Sequence, residues 1–447
     1  MSGGGNNITI SYPGNGWQML WPSAFGAFQL DIVGFLAILG EGSVAVNAQV
    51  SALSDLFFVP RLMPAPQALL FPTRPVRLEP VTKAYVTAVQ AGNVIDHIHH
   101  VASILLSKAE DMPEHMVRCV EIRKSDKAGR TGTSWSDRAL KGQPSRAGQH
   151  SMAPVEVEPS VTAKAFGPLA WVALNGLTLA TTLFLLSMLF GDGMSMLATV
   201  VLSLLSTLIG VSNKWSLTLI KRRAGIVPPG DVVIRYPNGS FLVVKCAEDI
   251  ARELFFAPEK INYMITSPAI HRLISLVGTL MLMFGVIALA NARLELQFAW
   301  GGAYIIINAV HWIAAAVPQR MHWDFSCYVL AEQGIDGGSE QLGYTEALWK
   351  AIMITQSTDW CRAGAPAAPL TKVWDEWLVE AGKQTAAVVE KPGSVVAPYW
   401  DEQPDSEKGH ASTVLWSIPK EWDAKKAWND ILQRHRAAPT ASPANPS

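Results

Sequence analysis

Four long apolar runs without a charged residue are the feature that most constrains how this chain folds. They cover residues 165–191, 193–213, 273–292 and 296–319. Each is about as long as the ~20 residues that a helix needs to cross the hydrocarbon core of a bilayer. The sequence therefore predicts a mainly α-helical, multi-pass membrane protein with four transmembrane helices.

Short connections pair these runs into two transmembrane hairpins. Gly191-Asp192-Gly193 joins the first two runs and Arg293-Leu294-Glu295 joins the last two, so the paired helices are expected to be antiparallel neighbours. The opposite ends carry the basic residues Lys164, Lys214, Lys221, Arg222, Arg223, Arg272 and Arg320. By the positive-inside rule, these ends are expected in the cytosol and the two tight turns on the other side.

Residues 24–39 are a candidate for a fifth span. The stretch is apolar, but Gln29 and Asp31 interrupt it, and no Lys or Arg precedes Arg61. That distribution is typical of a first crossing from outside to inside, which would make Asn7 a glycosylation acceptor. An interfacial or protein-packed helix with Asp31 in a polar niche explains the same residues. The sequence leaves both alternatives open.

Composition excludes other classes of protein. The chain is 49% hydrophobic and only 16% charged, with a net charge of −1. It therefore lacks the basic surface of a dedicated nucleic-acid-binding protein, and we expect no nucleic-acid partner. The four cysteines are scattered without zinc-site spacing, so they are expected to be reduced thiols.

Residues 214–270, between the hairpins, hold the best-defined element outside the predicted spans. Residues 231–236 and 241–245 read as strands, and Asn238-Gly239 between them supplies the positive φ angles of a tight turn. Residues 247–256 then have the pattern of a short amphipathic helix. An isolated β-hairpin is marginal in water, so we expect it to pack on another element.

Three amphipathic helices are predicted after the last span. Their apolar stripes cover residues 344–352, 374–381 and 424–432. Nine of the sixteen tryptophans lie from Trp323 onward, six of them at Trp360, Trp374, Trp377, Trp400, Trp416 and Trp422. Indole rings suit a membrane interface, but at helical spacing they more often form a core or a protein contact. We expect these helices to dock on the β-hairpin, and a protein partner is the alternative.

The first third of the chain is predicted to be peripheral. Apolar residues recur at helical spacing over 94–105, which indicates one amphipathic helix. Residues 123–164 have the composition of a disordered basic linker, with Ser134, Ser136 and Ser145 as phosphorylation candidates. The basic residues here are Arg118, Arg123, Lys124, Lys127, Arg130, Arg138, Lys141 and Arg146. They would contact anionic lipid headgroups or remain solvated.

Two groups of side chains resemble metal sites. One consists of Asp96, His97, His99, His100, His115 and Cys119, with Asp96 and His100 one turn apart on the predicted helix. The other is His322, Asp324 and Cys327, just after the fourth span. A solvated helix face and juxtamembrane packing explain them better. The sequence thus predicts no catalytic, cofactor-binding or metal-ligating residue.

His311 and Asn308 are the notable polar residues inside the spans. Polar groups at that depth are costly unless they face the bundle or water. A transport pathway would require more of them on the facing helices, so an interhelical hydrogen bond is the favoured interpretation.

Parts of the chain resemble a known group of proteins. These are GDVVIR at 230–235, FLVVKC at 241–246, AREL at 251–254, TEALWKAI at 345–352 and WDEWLVEA at 374–381. They resemble uncharacterised filamentous-fungal multi-pass membrane proteins over roughly residues 165–385. That resemblance implies the topology and a fungal origin, and it assigns no activity, cofactor or site residue.

The expected organisation follows the chain in seven parts. These are an N-terminal region (1–122), a disordered linker (123–164), transmembrane hairpin 1 (165–213), a cytosolic β-hairpin plus helix (214–270), transmembrane hairpin 2 (271–319), C-terminal amphipathic helices (320–436) and a disordered tail (437–447). The first functional hypothesis is a non-enzymatic scaffold or regulatory component of a membrane. The alternative is a channel or transporter for a small solute or ion, acting as a homo-oligomer.

Overall fold

The computed structural model of the protein describes residues 41–107, 112–125, 161–218, 227–336, 343–389 and 422–437. The candidate span at 24–39, Asn7, most of the basic linker and the tail lie outside this part. The helices are α1 (Glu41–Val46), α2 (Ala48–Leu53), α3 (His100–Leu105), α4 (Pro168–Leu189), α5 (Gly193–Asn213), α6 (Glu248–Ala251), α7 (Pro268–Ala290), α8 (Leu294–Ala316), α9 (Tyr344–Thr355), α10 (Lys372–Val389) and α11 (Ala424–Ala437). The strands are β1 (Val81–Ala88), β2 (Val94–Ile98), β3 (Val117–Lys124), β4 (Thr162–Ala163), β5 (Trp215–Thr218), β6 (Val232–Arg235), β7 (Phe241–Lys245), β8 (Lys260–Tyr263), β9 (Trp323–Asp324) and β10 (Tyr328–Asp336).

Four of these helices, α4, α5, α7 and α8, are long and apolar enough to cross a membrane, as predicted. Proline occupies the first turn of α4 and of α7, where its missing N–H costs no helical hydrogen bond. Asp192 begins α5 by accepting hydrogen bonds from the backbone N–H groups of Met194 and Ser195. Local sequence therefore sets where the long helices start.

The two tight turns lie together at one end of the bundle. One carboxylate oxygen of Asp192 caps α5, and the other accepts the backbone N–H of Arg293 at 2.7 Å. Asp192 is buried, so this bond joins the turn of the first hairpin to the turn of the second. Both hairpins therefore point the same way, as the charge pattern predicts.

Helix packing in the bundle differs from simple pairing within hairpins. The closest packing is between α5 and α7 and between α4 and α8, rather than between α7 and α8. Two short antiparallel strand pairs continue these contacts beyond the helices: β5 pairs with β8, and β4 pairs with β9. The prediction that the second hairpin's helices are close neighbours is therefore wrong, because each packs on a helix of the first hairpin.

A six-stranded sheet lies at the end of the bundle that carries these strand pairs. Its strand order is β10-β3-β7-β6-β1-β2, and all neighbours are antiparallel except β3 and β7. The β6–β7 hairpin is confirmed, and Gly239 in its turn has a φ of +77°. The strands β6 and β7 are central, which explains their near-continuous runs of Val, Leu and Ile.

The first third of the chain supplies three strands of this sheet, so the prediction of a peripheral region is wrong. Residues 94–98 form strand β2, and only the short α3 follows, instead of one helix over 94–105. Arg123 and Lys124 end strand β3 instead of starting a linker. These strands pair with partners far along the chain, and no local pattern specifies such pairing.

Each face of the sheet is buried by a different part of the protein. Val232, Ile234, Leu242 and Val244 belong to a cluster that continues into the bundle. The alternate residues Val233, Phe241 and Val243 pack against the carboxy-terminal helices. The helix α9 lies on β7 and β3, and α10 and α11 pack on α9 and on each other. The predicted docking on the β-hairpin is therefore confirmed for α9, and α10 and α11 complete the same layer.

Tryptophans hold the carboxy-terminal layer together. Trp377 is fully buried, and its indole N–H donates to the carbonyl of Ala424 at 3.0 Å, which joins α10 to α11. The rings of Trp349 and Trp422 meet edge to face at 4.3 Å. These indoles form a core, as expected from their spacing; Trp400 and Trp416 lie outside the described residues.

Candidate functional site

A segment of the chain that is not a long helix runs into the middle of the four-helix bundle. We call residues 56–71 the inserted segment; it holds three prolines and a single 3₁₀ turn, Pro66–Leu69. The side chain of Leu70 reaches Gly278, which lies ten residues into α7, or about 15 Å from its start. The helix is about 34 Å long, so the segment reaches mid-depth.

The backbone of the inserted segment is hydrogen-bonded to the helices around it. The N–H of Arg61 donates to Ser206 Oγ at 3.0 Å, and the N–H of Leu62 donates to the carbonyl of Gly176 at 2.9 Å. The N–H of Ala65 donates to the Tyr304 hydroxyl at 3.0 Å. Irregular backbone at membrane depth is tolerated only when protein or water satisfies it in this way.

Ala65 itself is in the left-handed region, with a φ of +41°, and its side chain is fully buried. That conformation costs an alanine roughly 1–2 kcal/mol, so the surrounding contacts must hold it in place. Pro64 and Pro66 on either side restrict the alternatives.

Small residues on the helices make room for the inserted segment. A Cβ atom added at Gly176 would lie 2.5 Å from the carbonyl oxygen of Leu62. One added at Gly210 would lie 2.5 Å from the carbonyl oxygen of Phe57. Since both distances involve backbone atoms, neither overlap is relieved by rotating a side chain.

A small cleft, with a cavity volume of about 30 Å³, lies beside this segment. Its walls are α1, α2, the start of the inserted segment, the first turns of α4 and the last turns of α8. Most of the lining is apolar, including Phe57, Leu169 and Val172, and the ionisable residues in it are Arg61 and His311. The cleft thus combines an apolar wall with a cation.

Arg61 is the buried cation of the cleft. Its Nη1 donates to the carbonyls of Leu56 and Phe57 at 2.8 and 3.1 Å, and the guanidinium carbon lies 5.0 Å from the centre of the Phe57 ring. Within the part of the chain that the structure describes, no carboxylate pairs with it. Because a guanidinium is not deprotonated in proteins, Arg61 is a cation at neutral pH.

The first predicted metal-like group is not assembled into a site. Asp96 and His97 are in contact at 2.8 Å at the exposed edge of the sheet. His99 is buried behind them, His115 packs against Tyr344, and Cys119 is inside the sheet. The described residues contain no group of three or more His, Cys, Asp or Glu that could hold a metal ion.

A buried carboxylate next to this region was not anticipated from the sequence. Glu259 accepts the backbone N–H groups of His100 and Val101 at 3.2 and 2.8 Å, and so caps α3. Burial raises the pKa of Glu259 to about 7 in spite of these two hydrogen bonds. Burial also lowers the pKa of His99 to about 4. Both groups therefore titrate far from their usual ranges.

The second predicted metal-like group, His322, Asp324 and Cys327, is not assembled into a site either. His322 is buried and its Nε2 bonds the carbonyl of Ala314 at 3.1 Å, while Asp324 accepts the backbone N–H of Ser326. Cys327 is buried in the core on the bundle side of the sheet. Packing and hydrogen bonds just after the end of α8 account for all three residues, and no site is formed.

Asn308 and His311, the two polar residues predicted inside the last span, have different surroundings in α8. Asn308 donates to the carbonyl of Tyr304, one turn earlier in the same helix, at 2.8 Å. The expected interhelical hydrogen bond is therefore wrong for Asn308, since its amide is used within α8. His311 lines the cleft, as Arg61 of the inserted segment does.

Three of the predicted linker cations are ordered in strand β3. Arg118 is buried and makes a two-fold contact with the carboxylate of Glu332 on β10, at 2.6 and 2.9 Å. Lys124 bonds Asp249 at 2.6 Å, and Arg123 bonds the carboxylate of Glu121. The proposed contact with lipid headgroups is wrong for Arg118, whose side chain is committed to β10; Lys127, Arg130, Arg138, Lys141 and Arg146 lie outside the described residues.

Comparison of the chain with protein-family models, with curated proteins and with solved structures gives no match. The resemblance to fungal membrane proteins stays a prediction, and the interpretation of the site depends on its own geometry. Arg61 is the residue that sequence reasoning missed here. The signal was present: a lone arginine in an apolar stretch, with Pro60, Pro64 and Pro66 around it.

Proposed function

We propose that this protein is a non-enzymatic, multi-pass membrane component that acts as a scaffold or regulatory protein. The observation that supports this is the inserted segment. It occupies the space between the four long helices to about mid-depth, and its backbone is bonded to α4, α5 and α8. A solute would have to displace part of the protein's own chain to pass through this space.

Close packing at two glycines strengthens this argument. The backbone of the inserted segment lies against Gly176 and Gly210 at distances that exclude even a methyl group. Protein interiors packed this tightly deform little. A single bundle with this interior suits a structural role better than transport.

The proposed topology places the sheet and the carboxy-terminal helices in the cytosol. Lys164, Lys214, Arg272 and Arg320 are at the end of the bundle nearest the sheet. The Nζ atom of Lys214 is buried and lies 2.9 Å from the carboxylate of Asp55, so its charge is paired. The support for a cytosolic location therefore comes mainly from exposed cations such as Arg272. The apolar faces of α9, α10 and α11 are already used against the sheet and against one another, so a protein partner would meet their polar faces.

An oligomeric channel or transporter is the second candidate. The observation in its favour is irregular backbone at membrane depth beside a cleft that contains Arg61 and His311. Such backbone often lines the ion and substrate pathways of membrane proteins. A pathway of this kind would run through the cleft or between copies of the chain.

Flux measurements in proteoliposomes separate the two candidates. The purified full-length protein is reconstituted, and the flux of K⁺, Cl⁻ and protons is compared with that of protein-free liposomes. A scaffold gives no added flux, and His311→Ala leaves this result unchanged. Flux that the wild type supports and that His311→Ala or Asn308→Ala reduces, in variants with unchanged thermal stability, would overturn the proposal and favour a channel.

A further inference from the structure

The cleft beside the inserted segment has the features of a binding site for an amphiphilic anion. Its lining combines the guanidinium of Arg61 with a mostly apolar set of side chains, and the cleft is partly open to its surroundings. Its lining residues Leu169, Val172 and Ala173 lie in the first turn and a half of α4, within about 8 Å of the start of the helix. His311, which is also in the lining, lies five residues before the end of α8.

These positions place the cleft just inside one surface of the proposed membrane. The four long helices have 21 to 23 residues, or about 32–35 Å, close to the thickness of the hydrocarbon core. Their ends therefore lie near the level of the lipid phosphates. The guanidinium of Arg61 would lie slightly below that level, and the apolar wall would lie beside the acyl chains.

Arg61 has hydrogen-bonding capacity that the described part of the protein does not use. Its Nη1 is bonded to two carbonyls, but no hydrogen bond involves its Nε or Nη2. A buried cation is costly unless an anion or further acceptors compensate it. Arginine is also the side chain whose donors best match a phosphate group in geometry.

We propose that the cleft binds the phosphate group of an anionic membrane lipid, with the phosphate on Arg61 and the start of an acyl chain against Leu169 and Val172. Asn47, Ser51 and Ser54 supply further polar atoms along the same lining. Basic pockets between transmembrane helices bind lipid headgroups in this manner. The lipid would fix the inserted segment in place from the membrane side.

The test measures lipid retained by the full-length protein. The protein, purified in detergent, is incubated with phosphatidic acid, passed over a size-exclusion column and analysed by native mass spectrometry. Phosphatidylcholine is the neutral-lipid control, and inorganic phosphate and glycerol phosphate are the soluble probes. We expect one retained phosphatidic acid per chain, and an increase in the thermal midpoint by about 3 °C or more at saturation.

Variants distinguish the cleft from general attraction to anionic lipid. Arg61→Gln should weaken binding by about tenfold or more, as expected for the loss of a charge-assisted hydrogen bond. Arg272→Gln is the matched control, because Arg272 is an exposed arginine at the same end of the bundle and does not line the cleft. Ser51→Phe should fill the cleft and reduce binding while the hydrogen bonds of Arg61 stay intact.

The outcomes are distinct. Retention by wild type and Arg272→Gln but not by Arg61→Gln or Ser51→Phe supports the proposal. Equal stabilisation by inorganic phosphate would assign the site to a free anion and overturn the lipid part. Equal retention by all four proteins, or by none, would overturn the site itself. Because Ser51→Phe keeps Arg61, a folding defect of Arg61→Gln does not decide the result.

Discussion

Replacing Gly176 with alanine should destabilise the protein by about 2–4 kcal/mol. The added Cβ would lie 2.5 Å from the carbonyl oxygen of Leu62, whereas an ordinary contact is 3.4–4 Å. An overlap of about 0.9 Å with backbone has to be relieved by moving the inserted segment, at roughly 1–3 kcal/mol for overpacking. The movement also strains the hydrogen bond from the Leu62 N–H to the Gly176 carbonyl, worth about 0.5–1.5 kcal/mol.

Gly302→Ala is the matched control for this experiment. Gly302 also lies inside a long apolar helix, but nothing is within 4 Å of a Cβ at that position. Both substitutions gain the same helix propensity from alanine, so the difference between them isolates the contact with the inserted segment. Thermal unfolding in one detergent, at one scan rate, should give a midpoint for Gly176→Ala about 5 °C or more below that of Gly302→Ala.

A second readout shows whether the inserted segment has moved. Met63 is buried in the wild type, so a cysteine introduced there should react slowly with a thiol reagent. The reaction should be faster when Met63→Cys is combined with Gly176→Ala than when it is combined with Gly302→Ala. If Gly176→Ala matches Gly302→Ala in both assays, the segment does not lie against α4 and the argument for a filled bundle is wrong.

Three further predictions concern the rest of the protein. Burial lowers the pKa of His99, which adds stability as pH rises, so the contribution of Glu259 has to be measured as a difference from Glu259→Gln. Burial raises the pKa of Glu259 from 4.5 to about 7, so relative to that variant the wild type should lose up to about 3 kcal/mol of stability as pH rises through that window. Glu259→Gln should lack this slope in unfolding measurements at pH 5 and pH 7.5. Trp377→Ala should cost about 3–5 kcal/mol and make α10 and α11 sensitive to limited proteolysis, because it empties a fully buried site. A glycosylation acceptor inserted at 191–193 should be modified in cells and the native Asn238 should not, since the proposed topology places Asn238 in the cytosol; modification at Asn238 would invert that topology.

The long helices and the β6–β7 hairpin could be predicted because local residues specify them. A charge-free run of twenty residues has few alternatives to a spanning helix. The Asn238-Gly239 turn forms with the required positive φ at Gly239. The apolar stripes of the carboxy-terminal helices also predicted a docked layer, and the fully buried Trp377 belongs to it.

Strand β2 could not be predicted from its own residues. Val94, Ile95 and Ile98 fit the spacing of a helix as well as that of a short strand, and periodicity alone does not separate the two over five residues. These residues form a strand because they pair with β1, from Val81↔Ile98 to Thr87↔Val94. The pairing of β3 with β7 likewise joins residues more than a hundred positions apart, which a local pattern does not encode.

The candidate site could not be predicted either, because its formation also depends on contacts between distant parts of the chain. Pro60, Pro64 and Pro66 indicate an irregular connector, and loops are expected at the protein surface. Burial of such a segment requires acceptors and donors on other elements, here the Gly176 carbonyl and Ser206 Oγ. Those partners are on two separate helices, so only the assembled bundle shows that the segment can lie inside it.

The β6–β7 hairpin between the long helices does not form a sheet by itself, and this limits how a scaffold of this kind can work. Residues 214–270 supply only the two central strands of the six-stranded sheet, and its other strands come from residues 81–124 and 328–336. The cluster beneath the sheet also includes Leu205 and Ile209 from α5. Buried apolar contact is thus continuous from the four long helices to the sheet, and closely packed interiors transmit strain. A ligand that fixes the inserted segment would therefore act on a hydrophobic core to which both the bundle and the sheet contribute. Residues 214–270 expressed alone would lack the elements that cover the two faces of the β6–β7 hairpin.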